Sequence, residues 1–443
     1  MSSAWRVSSG APASGAGSSR AAVLGAALLV GLAGVATPSA AARTDSAPPR
    51  TARVSVATDG SQGEGASDTP SISANGRYVA FTSVADNLVR GDTNGLADVF
   101  VRDLRTGRTQ RIAEGPATNP AISGDGRRVV FATTAALTAG DTNGLDDIYL
   151  YDRVTRGTER ISRGHAEAPP SYKLNYSPAI SPDGRFVAYT TSAPDAAPGD
   201  TNGRDDVIVH DRRTGRNELV QYRTDGTPGD SDSLLPSFSA DGRYVAFDTA
   251  AQLDPAHEGT HARNVYVRDR ATDTTEQVSL PTRYVYKMSS WAPSISGDGG
   301  VVAFSSNVTS LVPDDTNKAS DVFVFDRTRK TTTRVSTAAD GTQADGPSQG
   351  VRLSADGRRV AFVSAAANLV PGDTNGVADV FIKDLETGVV ERVSVAADGT
   401  EANGATSTAS LSRDGRVAFA ATATNLVPGD TNGVADVFLR SPR

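Results

Sequence analysis

The chain has 443 residues, no cysteine and a formal net charge of −7. Without cysteine it can form neither disulfides nor thiolate metal sites, and it has no cysteine nucleophile. An acidic chain lacks the excess of Lys and Arg typical of nucleic-acid-binding proteins, so we expect no nucleic-acid partner.

The first 42 residues are predicted to be a signal peptide. Met1–Arg20 contains no acidic residue, and Ala21–Thr37 is an apolar stretch of the length of a signal-peptide core, short for a membrane span. Ala40 and Ala42 fit a signal-peptidase site, so we expect cleavage after Ala42; a retained membrane anchor is the alternative. The mature chain then begins with a short linker, residues 43–50, has no membrane span, and is secreted or extracytoplasmic.

Residues 51–443 consist of internal repeats, which are the first feature to seek in a sequence. Each unit contains Ser-x-Asp-Gly-Arg or a close variant, an apolar run, Asp-Thr-Asn-Gly-x-x-Asp or a variant of it, and a second apolar run. The glycine of the first motif recurs seven times, at Gly76, Gly126, Gly184, Gly242, Gly299, Gly357 and Gly415. Seven units of about 57 residues account for nearly all of the predicted mature chain.

Each unit is predicted to form four β-strands. A tight turn at Asn75 and Gly76 separates the first two, because Gly and Asn readily adopt positive φ. Both faces of the strands are apolar, so each small sheet must be covered by its neighbours, and four-stranded units repeated radially describe a β-propeller. In the first unit the predicted strands are Pro70–Ser73, Tyr78–Thr82, Asp98–Asp103 and Thr109–Ile112.

The two ends of the repeat region are predicted to complete one blade. The seventh unit stops after its third strand, Asp436–Arg440, while the missing fourth-strand signature Arg-Val-Ser stands at residues 53–55. A strand at about 51–57 should therefore pair with the last strand and close the ring, which leaves no open ring ends. The sequence predicts an all-β, seven-bladed β-propeller with four antiparallel strands per blade, and a monomer.

The repeat also resembles a known family. The run Ile180–Tyr189, which reads Ile-Ser-Pro-Asp-Gly-Arg-Phe-Val-Ala-Tyr, looks like the WD40-like repeat of TolB-type propellers. The resemblance covers roughly residues 51–443 and implies a propeller fold and an extracytoplasmic binding role. The chain differs from that family in having seven units rather than six and no separate N-terminal α/β domain.

The Asp-Thr-Asn-Gly-x-x-Asp loop between the second and third strands is a candidate calcium site. Carboxylate, amide and carboxylate groups at its positions 1, 3 and 7 supply the oxygen ligands that Ca²⁺ prefers, and the loop resembles thrombospondin-type calcium loops. The alternative is plain turn chemistry, in which Asp and Asn bond their own backbone. The predicted ligands are Asp92, Asn94, Asp98, Asp141, Asn143, Asp147, Asp200, Asn202, Asp206, Asp373, Asn375, Asp379, Asp430, Asn432 and Asp436.

Aromatic residues are concentrated in the loops that serve blades three to five, and two histidines lie in the same sector. Exposed rigid rings supply contact area at low entropic cost, so this sector is the predicted ligand-binding surface. The alternative is that the rings only pack the loops down. The predicted ligand-binding residues are Tyr172, Tyr176, Tyr222, Tyr284, Tyr286, Trp291, His257 and His261.

These features favour a secreted binding or scaffold propeller that recognises an extracellular protein, peptide or cell-wall glycan on its loop face. The sequence contains no Gly-x-Ser-x-Gly elbow, phosphate loop or zinc signature, so we predict no catalytic residues. Two alternatives stay open. One is an enzyme that acts on a polysaccharide or peptide at the channel mouth, and the other is a calcium-stabilised structural surface protein.

Overall fold

The computed structural model of the protein describes residues 50–162, 175–254, 262–283 and 288–441. All of the regular secondary structure in this part is β-strand. No stretch of the described chain forms a helix with the length and apolar character to cross a membrane. The predicted signal peptide, residues 1–42, lies outside the described residues.

The strands form seven sheets of four strands, and each sheet is one blade. Blade one contains β2 (Ser67–Ile72), β3 (Tyr78–Ser83), β4 (Asp98–Asp103) and β5 (Arg108–Ala113). Blade two contains β6 (Ala117–Ile122), β7 (Arg128–Thr133), β8 (Asp147–Asp152) and β9 (Gly157–Arg160). Blade three contains β10 (Asn175–Ile180), β11 (Phe186–Thr191), β12 (Asp206–Asp211) and β13 (Arg216–Leu219). Blade four contains β14 (Ser233–Phe238), β15 (Tyr244–Thr249), β16 (Asn264–Asp269) and β17 (Thr274–Gln277).

The remaining blades follow the same plan. Blade five contains β18 (Ser290–Ile295), β19 (Val301–Ser306), β20 (Asp321–Asp326) and β21 (Thr331–Arg334). Blade six contains β22 (Ser348–Leu353), β23 (Arg359–Ser364), β24 (Asp379–Asp384) and β25 (Val390–Arg392). Blade seven contains β26 (Thr406–Leu411), β27 (Val417–Ala421), β28 (Asp436–Arg440) and, from the other end of the chain, β1 (Thr51–Arg53). The strands predicted for the first unit are confirmed, with ends that differ by up to three residues.

The blades surround a central channel. The first strand of each blade contacts the first strands of its neighbours, and these seven inner strands line one cavity on the ring axis. The hydrophobic core lies between adjacent blades, where each sheet buries both faces, as the apolar runs predicted. In blade one, Phe81 and Phe100 stack with ring centroids 5.8 Å apart, and five other blades repeat this aromatic pair.

The chain ends close the ring as predicted. β1 pairs antiparallel with β28, with Thr51 opposite Arg440 and Arg53 opposite Phe438. Val54 continues the pairing through its backbone N–H, which donates to Val437 O at 2.7 Å. The predicted seven-bladed propeller with a shared last blade is confirmed.

The Ser-x-Asp-Gly-Arg motif forms the hairpin turn between the first and second strands of a blade. In blade three, Ser181 Oγ donates to Asp183 Oδ1 at 2.6 Å, and Phe186 N–H donates to Ser181 Oγ at 2.9 Å. Gly184 has φ +70°, a backbone conformation that favours glycine. Arg185 then reaches the end of the third strand, where Nε and Nη2 donate to the two carboxylate oxygens of Asp211 at 3.0 and 2.7 Å. The repeated motif is therefore a turn that also ties the second strand to the third.

Candidate functional site

The loops singled out in the sequence open on one face of the ring. In blade one, Ser67 at the start of the inner strand pairs with Ser83 at the end of the second strand, and Ser83 pairs with Asp98 at the start of the third. The loop that enters the inner strand and the loop between the second and third strands therefore share this end of the sheet. We call it the loop face. The inner strands begin here, so the loop face also surrounds one mouth of the channel.

In five blades an arginine holds the loop between the second and third strands. In blade one, Arg111 Nη1 lies 2.9 Å from Asp92 Oδ1 and 3.1 Å from Asp98 Oδ2. Both carboxylates are buried. Burial, followed by the charge of Asp98, raises the pKa of Asp92 to about 6 even beside this arginine. The guanidinium is thus the internal counter-charge of a buried carboxylate pair.

The same arrangement recurs in blades two, five, six and seven. The arginine is the residue before the Ile-Ser or Val-Ser of the fourth-strand signature, so in blade seven the closing strand β1 supplies it. The pairs are Arg160 with Asp141 and Asp147, Arg334 with Asp315, Arg392 with Asp373 and Asp379, and Arg53 with Asp430 and Asp436.

The asparagine at the third position of each loop bonds within the loop. Asn94 Nδ2 donates to Asp98 Oδ1 at 3.2 Å, and Asn94 Oδ1 accepts from the backbone N–H of Leu96 at 2.9 Å. These contacts are local turn chemistry; calcium binding at the loops stays a prediction. Equivalent bonds are made by Asn143, Asn202, Asn375 and Asn432.

Blade three departs from this arrangement. Leu219 stands where the five blades have the arginine, although Asp200 and Asp206 both remain. Asp206 is fully buried, and its Oδ1 accepts hydrogen bonds from Asn202 Nδ2 at 3.0 Å and from Gln221 Nε2. Asp206 Oδ2 and Asp200 Oδ1 are buried without a hydrogen-bond partner. Burial, followed by the charge of Asp200, raises the pKa of Asp206 to about 8.

Two predicted ligand-binding residues, Tyr176 and Trp291, lie on inner strands at the channel mouth. Each is the second residue of its strand, in blades three and five, and each is half-buried. Leu234 holds the same position in blade four, between them. Tyr176 Oη donates to Asp205 Oδ2 at 2.6 Å, and burial followed by this bond raises the pKa of Tyr176. We call Tyr176, Leu234 and Trp291 the mouth sector.

A buried ion pair adjoins the mouth sector. Arg263 Nη1 lies 2.6 Å from Asp248 Oδ1, and Asp248 Oδ2 accepts the backbone N–H of Ala292, next to Trp291, at 3.0 Å. Asp248 also stands opposite Leu234 in the sheet register. Burial raises the pKa of Asp248 in spite of Arg263. This ion pair ties the backbone of blade five to blade four at the mouth sector.

Tyr222 lies apart from the mouth sector. It follows β13, the outermost strand of blade three, and pairs with Pro228 in an isolated bridge. The guanidinium of Arg268 in blade four lies 5.7 Å from the centre of its ring, and its hydroxyl donates to Pro198 O at 3.3 Å. The structure therefore brings Tyr176 and Trp291 to the channel mouth and places Tyr222 at the outer rim.

The other predicted ligand-binding residues lie outside the described residues: Tyr172, Tyr284, Tyr286, His257 and His261. Within the described residues, no group of three His, Cys, Asp or Glu side chains is placed to hold a metal ion. His210 is buried on β12, with Nδ1 2.7 Å from Asn217 Oδ1, so it is a packed residue of the blade.

The central channel contains a cavity of about 480 Å³ that the sequence analysis did not identify. Among the described residues that line it, Arg352 of β22 is the one charged side chain. It is exposed to the channel, its Nη1 donates to Val351 O at 2.8 Å, and it forms no ion pair with a described residue. The other six blades carry Ser or Ala at this position: Ser71, Ala121, Ala179, Ser237, Ser294 and Ser410.

The sequence did carry a signal for Arg352. Blades one to five have a proline followed by Ser or Ala in the inner strand, whereas blade six has Val351 and Arg352. This break in the repeat marks the residue, and it could have been found by aligning the units. A guanidinium without a carboxylate partner is suited to bind an anionic group of a ligand.

Six inner strands carry a left-handed residue where they line the channel. At this residue the pairing between the inner strand and the second strand of the blade shifts by one residue, so the inner strand has a β-bulge there. For a residue with a side chain this conformation costs about 1–2 kcal/mol, and such strain is concentrated at functional sites. The residues are Thr69, Asn119, Ser177, Leu235 and Ala292, with φ between +50° and +54°, and Gly350 with φ +68°.

The fold and the channel define the class of protein: a seven-bladed β-propeller whose loop face surrounds one mouth of a central channel. The propeller fold expected from the repeats is confirmed. No protein-family model and no curated sequence matches the chain.

Solved structures with this fold are similar to the chain at low sequence identity. The β-propeller domain of the Trilobed protease from Pyrococcus furiosus has 12% identity and a TM-score of 0.53, over 86% of this chain and 96% of that one. Oligogalacturonate lyase from Vibrio parahaemolyticus has 12% identity and a TM-score of 0.52, over 88% and 93%. A putative TolB from Agrobacterium tumefaciens has 15% identity and a TM-score of 0.41, over 77% and 96%. At these identities the likeness to the first two shows the fold alone.

Proposed function

We propose that the protein is an extracytoplasmic binding module that takes an acidic glycan at the channel mouth of its loop face. The observation that carries this proposal is the pairing of an aromatic mouth sector with the unpaired guanidinium of Arg352 in the channel. A peptide or protein segment with a free carboxylate could pair with Arg352 in the same way, and the test below distinguishes it from a glycan.

The mouth sector supplies the contact area. Tyr176 and Trp291 occupy equivalent positions on inner strands two blades apart, and their half-buried rings are anchored by the surrounding sheet. Rigid aromatic rings lose little conformational entropy on binding and offer flat apolar faces to the C–H groups of a sugar. Leu234 holds the equivalent position in blade four, between them, and adds a third half-buried apolar side chain.

Arg352 supplies the charge preference. Ser, Thr and Asn side chains line the cavity around it, together with Ala, Pro and larger apolar residues such as Ile180 and Phe238. A carboxylate that enters therefore meets a guanidinium and neutral hydrogen-bonding groups on an otherwise apolar wall. Charge-assisted bonds of this kind contribute about 1.5–3 kcal/mol. A uronic acid residue fits these two features together, since it has a sugar face for the rings and a carboxylate for Arg352. One solved propeller with the same fold is an oligogalacturonate lyase, which acts on such a glycan.

The proposed location rests on the N-terminal sequence, in which an apolar stretch is followed by Ala40 and Ala42. We expect the exported protein to begin at Arg43. N-terminal sequencing of protein recovered from outside the cytoplasm tests this point, and a start at Met1 in that fraction would contradict the proposed cleavage.

The binding proposal is tested with oligogalacturonides as the acidic probe and cello-oligosaccharides as the neutral one. We expect the acidic probe to bind, with a loss of roughly tenfold or more in affinity for Arg352→Ser. We expect a loss of similar size for Trp291→Ala. Serine is the residue found in four other blades, so Arg352→Ser should fold.

The matched control is Leu96→Ala, which removes an exposed apolar side chain of the loop face in blade one and should leave binding unchanged. Equal affinity of the folded variants and the unmodified protein for the acidic probe would contradict the proposed site. Binding of a peptide carboxylate in place of the glycan, with the same sensitivity to Arg352→Ser, would keep the site and change the ligand class.

A further inference from the structure

The five arginines of the loop face act as built-in cations. Each places its guanidinium beside the buried carboxylates of its loop, as Arg111 does with Asp92 and Asp98, although Arg334 pairs with the first acid alone. Buried carboxylates are costly unless they are paired, so the arginine is part of what lets the loop fold. In blades five and seven a glutamine adds to the arginine: Gln343 Nε2 donates to Asp315 Oδ1 at 2.9 Å, and Gln62 Nε2 donates to Asp430 Oδ1 at 3.0 Å.

Blade three has lost both of these donors. Leu219 replaces the arginine, and Pro228 stands at the bridge position that Gln62 and Gln343 hold in their blades. Yet Asp200 and Asp206 are both kept. The blade therefore retains two carboxylates and lacks the side chains that neutralise them elsewhere.

In blade four the loss of the arginine is accompanied by the loss of an acid, which is not the case in blade three. Gln277 of blade four stands in place of the arginine, and the carboxylate at the start of its third strand has become Asn264. Blade four has therefore lost the arginine and the acid at the start of the third strand together. Blade three alone, among the described loops, combines two acids with no basic partner.

The hydrogen bonds at Asp206 leave an opening for a ligand. Asn202 and Gln221 both donate to Oδ1, while Oδ2 has no partner although the side chain is fully buried. Asp200 Oδ1 is buried and unpartnered as well.

We propose that blade three binds a calcium ion through Asp200 and Asp206, in the place that an arginine guanidinium takes in the five other blades. Carboxylate oxygens are the ligands that Ca²⁺ prefers, and water completes its coordination. Only two acids contribute, so the dissociation constant should be about 1 mM, the range of extracellular modules. The proposed ligands lie on the loop of blade three and not in the channel, although Asp205 between them accepts the bond from Tyr176 of the mouth sector.

The test compares thermal unfolding of the full chain in EDTA and in 10 mM CaCl₂. We expect the Tm of the unmodified protein to rise by roughly 2 °C with calcium. Leu219→Arg supplies the missing guanidinium and should raise Tm in EDTA and abolish the calcium response. Asp200→Asn removes one ligand and should also abolish the response. A reciprocal variant, Arg392→Leu, should give blade six a calcium response of its own, seen as a larger shift than in the unmodified protein.

A direct measurement accompanies the melts, in case Leu219→Arg does not fold. Tb³⁺ replaces Ca²⁺ at oxygen sites and luminesces when excited through nearby tyrosines, so its signal should rise with the unmodified protein, fall on addition of CaCl₂, and be absent with Asp200→Asn. An unmodified protein that shows no calcium-dependent shift and no displaceable Tb³⁺ signal would overturn the proposal. So would an equal shift with MgCl₂ or with NaCl of the same ionic strength, or an undiminished calcium response in folded Leu219→Arg.

Discussion

Arginine side chains occur in three different environments in this protein, as Arg243, Arg111 and Arg352 illustrate. Arg243 donates to both oxygens of Asp269 at the partly exposed end of a blade. Arg111 neutralises a buried pair of acids on the loop face, and Arg352 faces the channel without a partner among the described residues. The first two arginines complete the fold, whereas we propose that the third binds an anionic group of a ligand.

The Arg243–Asp269 pair predicts how stability depends on pH. The bonds from Arg243 lower the pKa of Asp269 to about 2, below its value in the unfolded chain. A carboxyl with a lowered folded pKa stabilises fully above its unfolded pKa of about 4 and loses this effect as the pH falls toward 2. We therefore expect Asp269→Asn to lower Tm at pH 7, and the difference from the unmodified protein to shrink between pH 4 and pH 2.

The control for this prediction is Asp273→Asn. Asp273 also contacts an arginine, Arg268, but its side chain is largely exposed, so its contribution should be small at every pH. A Tm difference for Asp269→Asn that stays constant from pH 7 to pH 2 would show that the charge of the pair is not the cause.

At the scale of the strand, the bulged inner strands place strain next to the channel. Leu235 in β14 has φ +54°, and blade six carries Gly350 at the equivalent position. The conformation of Leu235 costs about 1–2 kcal/mol relative to an ordinary one, and asparagine tolerates it better than leucine does. Strain that recurs in five strands, with glycine at the equivalent position of a sixth, indicates that the bulge is a built-in feature of the channel wall.

Leu235→Asn should therefore stabilise the protein by up to about 1 kcal/mol, measured by urea unfolding. Leu235 is exposed, so little buried apolar surface is lost on replacement. Leu234→Asn is the matched control, because its neighbouring position has no positive φ and it should destabilise or leave stability unchanged. If Leu235→Asn destabilised the protein as much as Leu234→Asn does, the predicted backbone strain at Leu235 would be contradicted.

At the scale of the whole molecule, one short strand holds the ring closed. β1 supplies Arg53 to the Asp430–Asp436 loop, and Val54 is buried in the core between blades seven and one. A chain that begins at residue 57 loses the ion pair, this apolar contact and the partner of β28. Together these should cost about 5 kcal/mol or more. A chain that begins at residue 50 keeps the strand and should match the unmodified protein in urea unfolding; equal stability of the two truncations would contradict closure by β1.

The ring could be predicted from the sequence because each unit repeats the same turns and strands. The displaced Arg-Val-Ser at residues 53–55 also revealed the closure. The site was predicted only in part. Tyr176 and Trp291 both lie near the start of an inner strand at the mouth, but Tyr222 lies at the rim. The sequence does not tell an aromatic residue on an inner strand from one that follows an outer strand.

The roles of other residues could be recognised only from the way the strands pack. The arginines of the loop face, such as Arg111, are distant in sequence from the first acid of their loop, so their role as internal cations became visible only when the fourth strand was placed beside the third. Arg352 was hidden for a related reason. From sequence alone, an arginine in a strand is interpreted as a side chain on the outer surface; the structure shows that the strand of Arg352 lines a channel.

The proposed glycan site at the channel mouth is tested most directly by the fluorescence of Trp291 during a titration with oligogalacturonides. Trp5 and Trp291 are the two tryptophans of the chain, so Trp5→Phe makes Trp291 the sole reporter. A glycan bound at the channel mouth should change the intensity or emission wavelength of Trp291 in a saturable way, and Arg352→Ser should shift the curve to roughly tenfold or higher concentration. A flat signal, or saturation at the same concentration with and without Arg352, would contradict a binding site at the channel mouth.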